Sequence, residues 1–188
     1  MGMKVMSMKY RKVEQKPYCC VGACLEMILN RNKISNHGQV DIACQLGLIV
    51  PENYKTLYPN ARIGDKPSAG YGTQIQKEEY SINHYFKQKG IPLIEEYHYI
   101  TDLEEIRKFL LENQENDIMI CCHCATLYDS SAADWGHMVL LESINDNEIA
   151  ILDPSCNRNY ETVTLEKLMS AITIHGKENG AGFYLIKG

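Results

Sequence analysis

Apolar residues recur at helical spacing in the segment that follows Pro17. The apolar positions, which are separated by three or four residues, are Val21, Cys24, Leu25, Ile28 and Leu29. This is the stripe of a helix that packs one side against a core. Pro17 forbids a regular helix immediately before the stripe. The pattern therefore predicts a helix that begins at Cys20 and ends near residues 30–32, where polar residues take over.

Further short elements are predicted in the middle of the chain. Residues 38–46 predict a helix for which Ser35-Asn36 could supply the N-cap. Residues 77–89 predict a helix ended by Gly90. Another helix follows, with Thr101 or Asp102 as its N-cap. Residues 91–94 resemble a short strand. Their proline places this strand at the edge of a sheet, because proline cannot donate a ladder hydrogen bond.

The segment between the helices predicted at residues 38–46 and 77–89 has no hydrophobic periodicity. It spans residues 49–76. Three prolines and three glycines interrupt the segment. A loop of this length inside a compact domain is usually functional or mobile. The segment is therefore either an irregular surface excursion or a wall or lid over a substrate cleft.

The last third of the chain has the pattern of strands. Residues 117–126 form a continuous apolar run, which is typical of a central buried strand. Residues 138–144 and 148–152 flank an Asn-Asp-Asn turn and predict an antiparallel hairpin. Residues 165–172 predict a short helix, and residues 182–186 a closing strand. Helices come first and mostly antiparallel strands follow, which is the order of an α+β fold in a single domain spanning residues 1–188.

Composition narrows the classes of function. The 188 residues are 45% hydrophobic and 23% charged, with a net charge of −5, which argues against nucleic acid or an anionic membrane as the main partner. The first residues lack the apolar stretch of a secretion signal, and adjacent cysteine pairs at 19–20 and 121–122 make a poor disulfide framework. We therefore expect a cytoplasmic protein whose eight cysteines are reduced.

The start of the first helix carries candidate nucleophilic chemistry. A cysteine in the first turn lies among unpaired backbone N–H groups and at the positive end of the helix dipole, so its thiolate is favoured. Cys19, Cys20 and Cys24 compete for this role. Cys24 falls on the apolar stripe and is expected to be packed and inert, and the helix register favours Cys20 over Cys19. Gln15 is near enough to direct its amide N–H at an oxyanion that forms beside the sulfur.

The predicted hairpin supplies a candidate base. His137 immediately precedes its first strand, and Asp153 immediately follows its second strand. The outer ends of antiparallel strands meet, so the two side chains should lie together although sixteen positions separate them in the sequence. A carboxylate bound to one imidazole nitrogen leaves the other nitrogen free to face a nucleophile. The ordered set Gln15, Cys20, His137 and Asp153 is the arrangement of an activated cysteine.

These residues carry a resemblance to a known family. Gln15, the segment 20–28, Gly136–Val139 and Ile151–Pro154 resemble the papain-like cysteine peptidases that cut bacteriocin leader peptides, cysteine peptidase family thirty-nine and its free-standing relatives. The resemblance implies a papain-like fold in which the nucleophile helix packs on an antiparallel sheet. It implies Cys20 as nucleophile, His137 as general base and acid and Asp153 as its orienter. Gln15 would then be an oxyanion donor together with the Cys20 backbone N–H.

The sequence also departs from this family. Members often carry Asp-Cys-Gly at the nucleophile, where this chain has Cys19-Cys20-Val21, and the best-known members are fused to a membrane transporter. We therefore expect a free-standing member, without specificity for a double-glycine leader. Three functions remain open: a peptidase or amide hydrolase acting on a peptide or small amide, an acyl- or peptidyl-transferase that uses the same thioester, and a catalytically idle peptide-binding module.

Residues 121–124, Cys-Cys-His-Cys, superficially suggest a zinc site. On a strand, successive side chains point to opposite faces, so four adjacent residues cannot close a tetrahedron around one metal ion. Buried thiols on a core strand are the better interpretation. We expect neither a metal nor a cofactor. His37, His84, His98 and His175 are not expected to belong to a site, and Trp135 is expected to shield the His137 imidazole or line the cleft.

Overall fold

The structure, a computed structural model, describes residues 8–67, 70–131 and 133–188. Most of the N-terminal lead, and Ser68 and Ala69 of the irregular segment, lie outside the described residues. The helices are α1 (Cys20–Arg31), α2 (Gln39–Gln45), α3 (Ile82–Lys89), α4 (Leu103–Asn113), α5 (Cys124–Tyr128) and α6 (Leu165–His175). The strands are β1 (Ile49–Val50), β2 (Arg62–Ile63), β3 (Ile94–His98), β4 (Asp117–His123), β5 (Gly136–Asn145), β6 (Glu148–Leu152), β7 (Tyr160–Thr164) and β8 (Gly182–Lys187).

A six-stranded antiparallel sheet forms the centre of the fold. Its strand order is β3-β8-β4-β5-β6-β7. The predicted hairpin is present as β5 and β6, with Leu140 opposite Leu152 near its open end and Asn145 opposite Glu148 at the turn. The strand predicted to be central, β4, lies between β8 and β5. The short strands β1 and β2 form a separate parallel pair within the irregular segment.

Helices cover both faces of the sheet, so alternate residues of each strand enter two different cores. The first core joins α1, α2 and α3 to Met119, Cys121, Met138 and Leu140. The second core joins α4 and α6 to Ile118, Ile120, Cys122, Val139 and Leu141. Because neither face meets water, β4 needs apolar residues at successive positions, which explains the unbroken apolar run. None of the described helices is long and apolar enough to span a bilayer.

Several predicted boundaries were wrong, and each has a local cause. Helix α3 begins at Ile82 rather than at residue 77, because the Ser81 side chain accepts from the His84 N–H and caps the helix there. Ser35 and Asn36 do not cap α2, whose N-cap is Gly38. The edge strand predicted at residues 91–94 is instead β3, residues 94–98. The apolar run that begins at residue 117 ends as a strand at His123, after which the chain turns into α5.

Helix α1 is held close to α2 at Gly22. A Cβ built on Gly22 would lie 2.2 Å from the Gln39 carbonyl oxygen and 3.2 Å from the Ala43 Cβ. The first neighbour is a backbone atom, so it cannot rotate aside as a side chain could. Only a glycine at position 22 therefore allows the two helix backbones to approach this closely.

We expect Gly22→Ala to lower the free energy of unfolding by about 2 kcal/mol, because relief of the overlap must push α2 away from α1. The higher helix propensity of alanine, about 1 kcal/mol, offsets only part of this cost. Urea unfolding followed by far-ultraviolet circular dichroism measures the change. Gly64→Ala is the matched control, because a Cβ there meets no atom within 4 Å. Equal stability of the two variants would contradict the close contact.

Candidate active site

The start of α1 separates the three candidate cysteines. Cys19 is the N-cap residue and is fully buried in a small core with Tyr58. Cys24 is also fully buried, with its Sγ 3.6 Å from the Met138 carbonyl oxygen. Cys20, the first helical residue, is only partly buried and is the one cysteine of the three that lines the cleft described below. The backbone takes a left-handed turn at Tyr18, where φ is +63°, just before the helix begins.

The hairpin brings His137 and Asp153 together. His137 Nε2 lies 2.8 Å from Asp153 Oδ1, and the imidazole lines the same cleft as Cys20, close enough to lower the pKa of the Cys20 thiol. The Asp153 carboxylate is fully buried. The Ser155 N–H and hydroxyl donate to Oδ1 over 2.7 and 2.6 Å, and the Tyr128 hydroxyl donates to Oδ2. The carboxylate therefore has a full set of donors before any substrate binds, which holds the imidazole in one orientation.

The ionisation of the pair follows from these contacts. Burial by itself raises the pKa of the Cys20 thiol, but the hydrogen bond and charge of His137, with backbone hydrogen bonds from Met138 and Val21, bring it below its ordinary value. Burial lowers the pKa of His137, whereas its hydrogen bonds to Asp153 and Cys20 outweigh this effect and raise the pKa to about 10. Both shifts act in the direction of a thiolate beside an imidazolium. The other two cysteines differ, because burial raises the pKa of Cys19 to about 12 and raises that of Cys24 as well.

Gln15 lies beside this pair and is held through its main chain. Its N–H donates to the Pro154 carbonyl oxygen over 2.7 Å, which ties the segment before α1 to the loop after Asp153. The buried Gln39 side chain fixes the neighbouring residues, because it donates to the Glu14 carbonyl and accepts from the Lys16 N–H. Gln15 lines the cleft with Cys20, and its buried Oε1 has no hydrogen-bond partner among the described residues. The side-chain amide is therefore not committed to an internal contact on that atom.

Cys20 and His137 open into a cleft of about 780 Å³. The segment before α1 and the irregular segment 49–76 contribute Gln15, Pro17, Tyr18, Tyr54, Lys66, Gly70 and Tyr71. The C-terminal half contributes His123, Asp134, Trp135, Gly136, Ile174, His175 and Asn179. Part of the irregular segment therefore forms a wall of the cleft. Trp135 also lines the cleft and is 55% exposed.

Sequence reasoning missed three side chains that support the site: Tyr128, Ser155 and Gln39. Tyr128 ends α5, and the Arg158 guanidinium lies 3.5 Å from the centre of its ring. Nothing in the sequence pattern indicates the contact between Tyr128 and Asp153, which are 25 positions apart. Ser155 could have been found, because a carboxylate commonly accepts the N–H of the residue two positions later. His175, expected to lie outside any site, also lines the cleft, with its ring against Gly136.

The Cys-Cys-His-Cys segment does not form a metal centre among the residues that the structure describes. Within the described ranges, no group of three histidine, cysteine or acidic residues is arranged to hold a metal ion. His123 Nε2 lies 2.9 Å from Asp134 Oδ1, and its Nδ1 lies 2.8 Å from the Thr126 hydroxyl. Cys121 and Cys122 are buried in the two different cores on opposite faces of the sheet.

No family model and no curated protein sequence matches this chain. Among solved structures, the chain is similar to the crystal structure of a candidate C39-like peptidase from Bacillus anthracis. The TM-score is 0.58 with 16% identical residues, over 97% of this chain and 98% of the other. At this level of identity the likeness shows the fold alone. It confirms the predicted α+β class, and the chain has the papain-like fold of a C39-like peptidase, with helices packed on an antiparallel sheet.

Proposed function

We propose that this chain is a cysteine-dependent peptidase or amide hydrolase that acts through a thioester with a Cys20–His137–Asp153 triad. The observation that carries the proposal is the contact of the His137 imidazole with the buried Asp153 carboxylate, in an open cleft that Cys20 also lines at the start of its helix. The papain-like fold is compatible with it. Specificity for a double-glycine leader is not part of the proposal.

In the proposed reaction, the Cys20 thiolate attacks the carbonyl carbon of a peptide or small amide. The carbonyl oxygen becomes an oxyanion, which the Gln15 side-chain N–H and the Cys20 backbone N–H stabilise. The C–N bond then breaks, and the His137 imidazolium gives its proton to the leaving amine. In the second half, neutral His137 removes a proton from water as its oxygen attacks the thioester. The carboxylic acid is released and Cys20 returns as a thiolate beside imidazolium.

Labelling with iodoacetamide tests whether Cys20 is activated. We expect Cys20 to be alkylated at a lower pH than the exposed reference thiol of Cys156 in the same chain, because His137 lowers the pKa of the Cys20 thiol. The ratio of the Cys20 rate to the Cys156 rate should be highest at low pH, because the lowered pKa gives Cys20 its advantage there. Peptide mapping by mass spectrometry measures both sites.

His137→Ala is the matched control for the labelling. Without the imidazolium, only the backbone hydrogen bonds from Met138 and Val21 oppose burial, so the pKa of the Cys20 thiol should rise and its labelling at low pH should fall. Cys20 labelling that parallels Cys156 across the whole pH range would sink the proposal and leave the peptide-binding module. In active protein, an added amine that is incorporated into the product would favour the transferase over the hydrolase.

A further inference from the structure

Three tyrosines form a continuous aromatic surface in the cleft. The Tyr18 ring meets the Tyr54 ring at 86° with 5.1 Å between centroids, and the Tyr71 ring at 63° with 5.7 Å between centroids. Both are edge-to-face contacts, the arrangement that aromatic rings favour. All three side chains are partly exposed and line the cleft with Cys20 and His137. We call Tyr18, Tyr54 and Tyr71 the tyrosine wall.

The neighbouring Tyr58 shows what a purely structural tyrosine does here. Tyr58 is fully buried, and its hydroxyl donates to the Pro17 carbonyl oxygen over 2.7 Å. It stacks on Tyr54 at an interplanar angle of 14° and supports the wall from behind. The wall residues instead keep part of their surface exposed and line the cleft.

The tyrosine wall lies within reach of the residues that flank the bond to be cleaved. Tyr18 is two residues from Cys20, so their Cα atoms are at most about 7.6 Å apart. An extended substrate advances roughly 3.3–3.6 Å per residue. A side chain that rests on Tyr18 can therefore belong to a residue within about two positions of the carbonyl that Cys20 attacks.

The geometry points to a subsite for an aromatic side chain. We propose that the tyrosine wall binds a phenylalanine-like ring of a peptide, within two residues of the scissile bond. An aromatic ring gains edge-to-face contacts with the wall beyond the area that it buries, which an aliphatic side chain does not. Trp135, exposed at the same cleft, offers a second aromatic surface. The inference deepens the proposed function and rests on it only in treating the bound peptide as a substrate.

Binding to the Cys20→Ala protein tests this subsite without turnover. Trp135 is the single tryptophan of the chain, so its fluorescence reports occupancy of the cleft. The probes are blocked pentapeptides with phenylalanine, leucine or glycine at one position and glycine or alanine elsewhere, so that they add no tryptophan signal. We expect the best phenylalanine peptide to bind about tenfold more tightly than its glycine counterpart.

Two substitutions of Tyr71 provide the matched variants. Tyr71 lies in the irregular segment, lines the cleft, and contacts the Tyr18 ring. Adding Tyr71→Ala should reduce the preference for phenylalanine to about twofold, whereas Tyr71→Phe should retain it, since the ring remains. In protein with Cys20 intact, the same preference should be found in kcat/KM.

The outcomes separate this inference from the proposed function. Equal binding of phenylalanine and glycine peptides, no detectable binding of any phenylalanine peptide, or a preference that survives Tyr71→Ala each overturns the aromatic subsite. If the protein with Cys20 intact nevertheless cleaves such peptides, the proposed function is upheld without the aromatic subsite. Phenylalanine-selective binding that depends on Tyr71, without cleavage of any probe, upholds the subsite and counts against hydrolysis.

Discussion

Replacement of Cys20 by alanine is expected to lower kcat/KM for any hydrolysed peptide by at least about 10⁴-fold. The variant lacks the sulfur that forms the proposed thioester, and neither neighbouring thiol at this helix is placed to replace it. The Cys19 thiol is buried beside Tyr58, and Cys24 lies in the core beneath the helix. Hydrolysis of a chromogenic or fluorogenic peptide measures the loss, and mass spectrometry of the quenched enzyme should show an acyl adduct only when Cys20 is present.

Cys19→Ala is the control for this substitution. It removes an adjacent thiol of the same size but leaves the pair of Cys20 and His137 intact, so we expect kcat/KM within about threefold of the unmodified enzyme. A large loss in Cys19→Ala with retained activity in Cys20→Ala would show that the register is wrong by one residue. Retained activity in both variants would contradict covalent catalysis by this helix.

Replacement of Gln15 by alanine is expected to reduce kcat by about 10²–10³-fold with a much smaller change in KM. The amide N–H would stabilise the oxyanion only while charge develops on the substrate oxygen, so its loss should affect the transition state more than the ground state. The main-chain bond from Gln15 to Pro154 does not involve the side chain, so the substitution should leave the local backbone in place. Steady-state kinetics with one peptide over a range of concentrations separates kcat from KM.

Gln15→Glu is the matched control, because it keeps the shape of the side chain and replaces the donor amide with a carboxylate. A negative charge beside a developing oxyanion should lower kcat at least as much as alanine does. Unchanged iodoacetamide labelling of Cys20 in Gln15→Ala would show that the nucleophile itself is intact. A normal kcat in Gln15→Ala would exclude the side chain as an oxyanion donor.

The elements that place the candidate site were predictable because their signals are local. The apolar stripe after Pro17 gave the start of α1, and the turn at residues 145–147 gave the hairpin whose open end joins His137 to Asp153. The periodicity favoured Cys20 over Cys19 as the candidate nucleophile but could not decide between them. The backbone just before the helix is left-handed at Tyr18, a conformation that few tyrosines adopt, and no local preference predicts it.

Other parts of the fold depend on contacts between distant residues. Strand β7 has no strong apolar alternation and exists because β6 offers it an edge to pair with, with Ile149 opposite Val163. The polar support of Asp153 by Tyr128 likewise needs α5 to follow β4, and the apolar run gave no sign of the turn at Cys124. Tertiary pairing overrides weak local preference in both places.

The hydrogen bond from the Gln15 N–H to the Pro154 carbonyl oxygen joins the two ends of the site across almost the whole chain. During synthesis, which proceeds from the N-terminus, Cys20 leaves the ribosome more than one hundred residues before His137 and Asp153. Until the hairpin forms and docks, the Cys20 thiol has no imidazolium beside it and keeps ordinary reactivity. If the proposed function is correct, the thiol is therefore activated only after this hairpin has docked, and an unfinished chain cannot carry out the proposed chemistry on its neighbours.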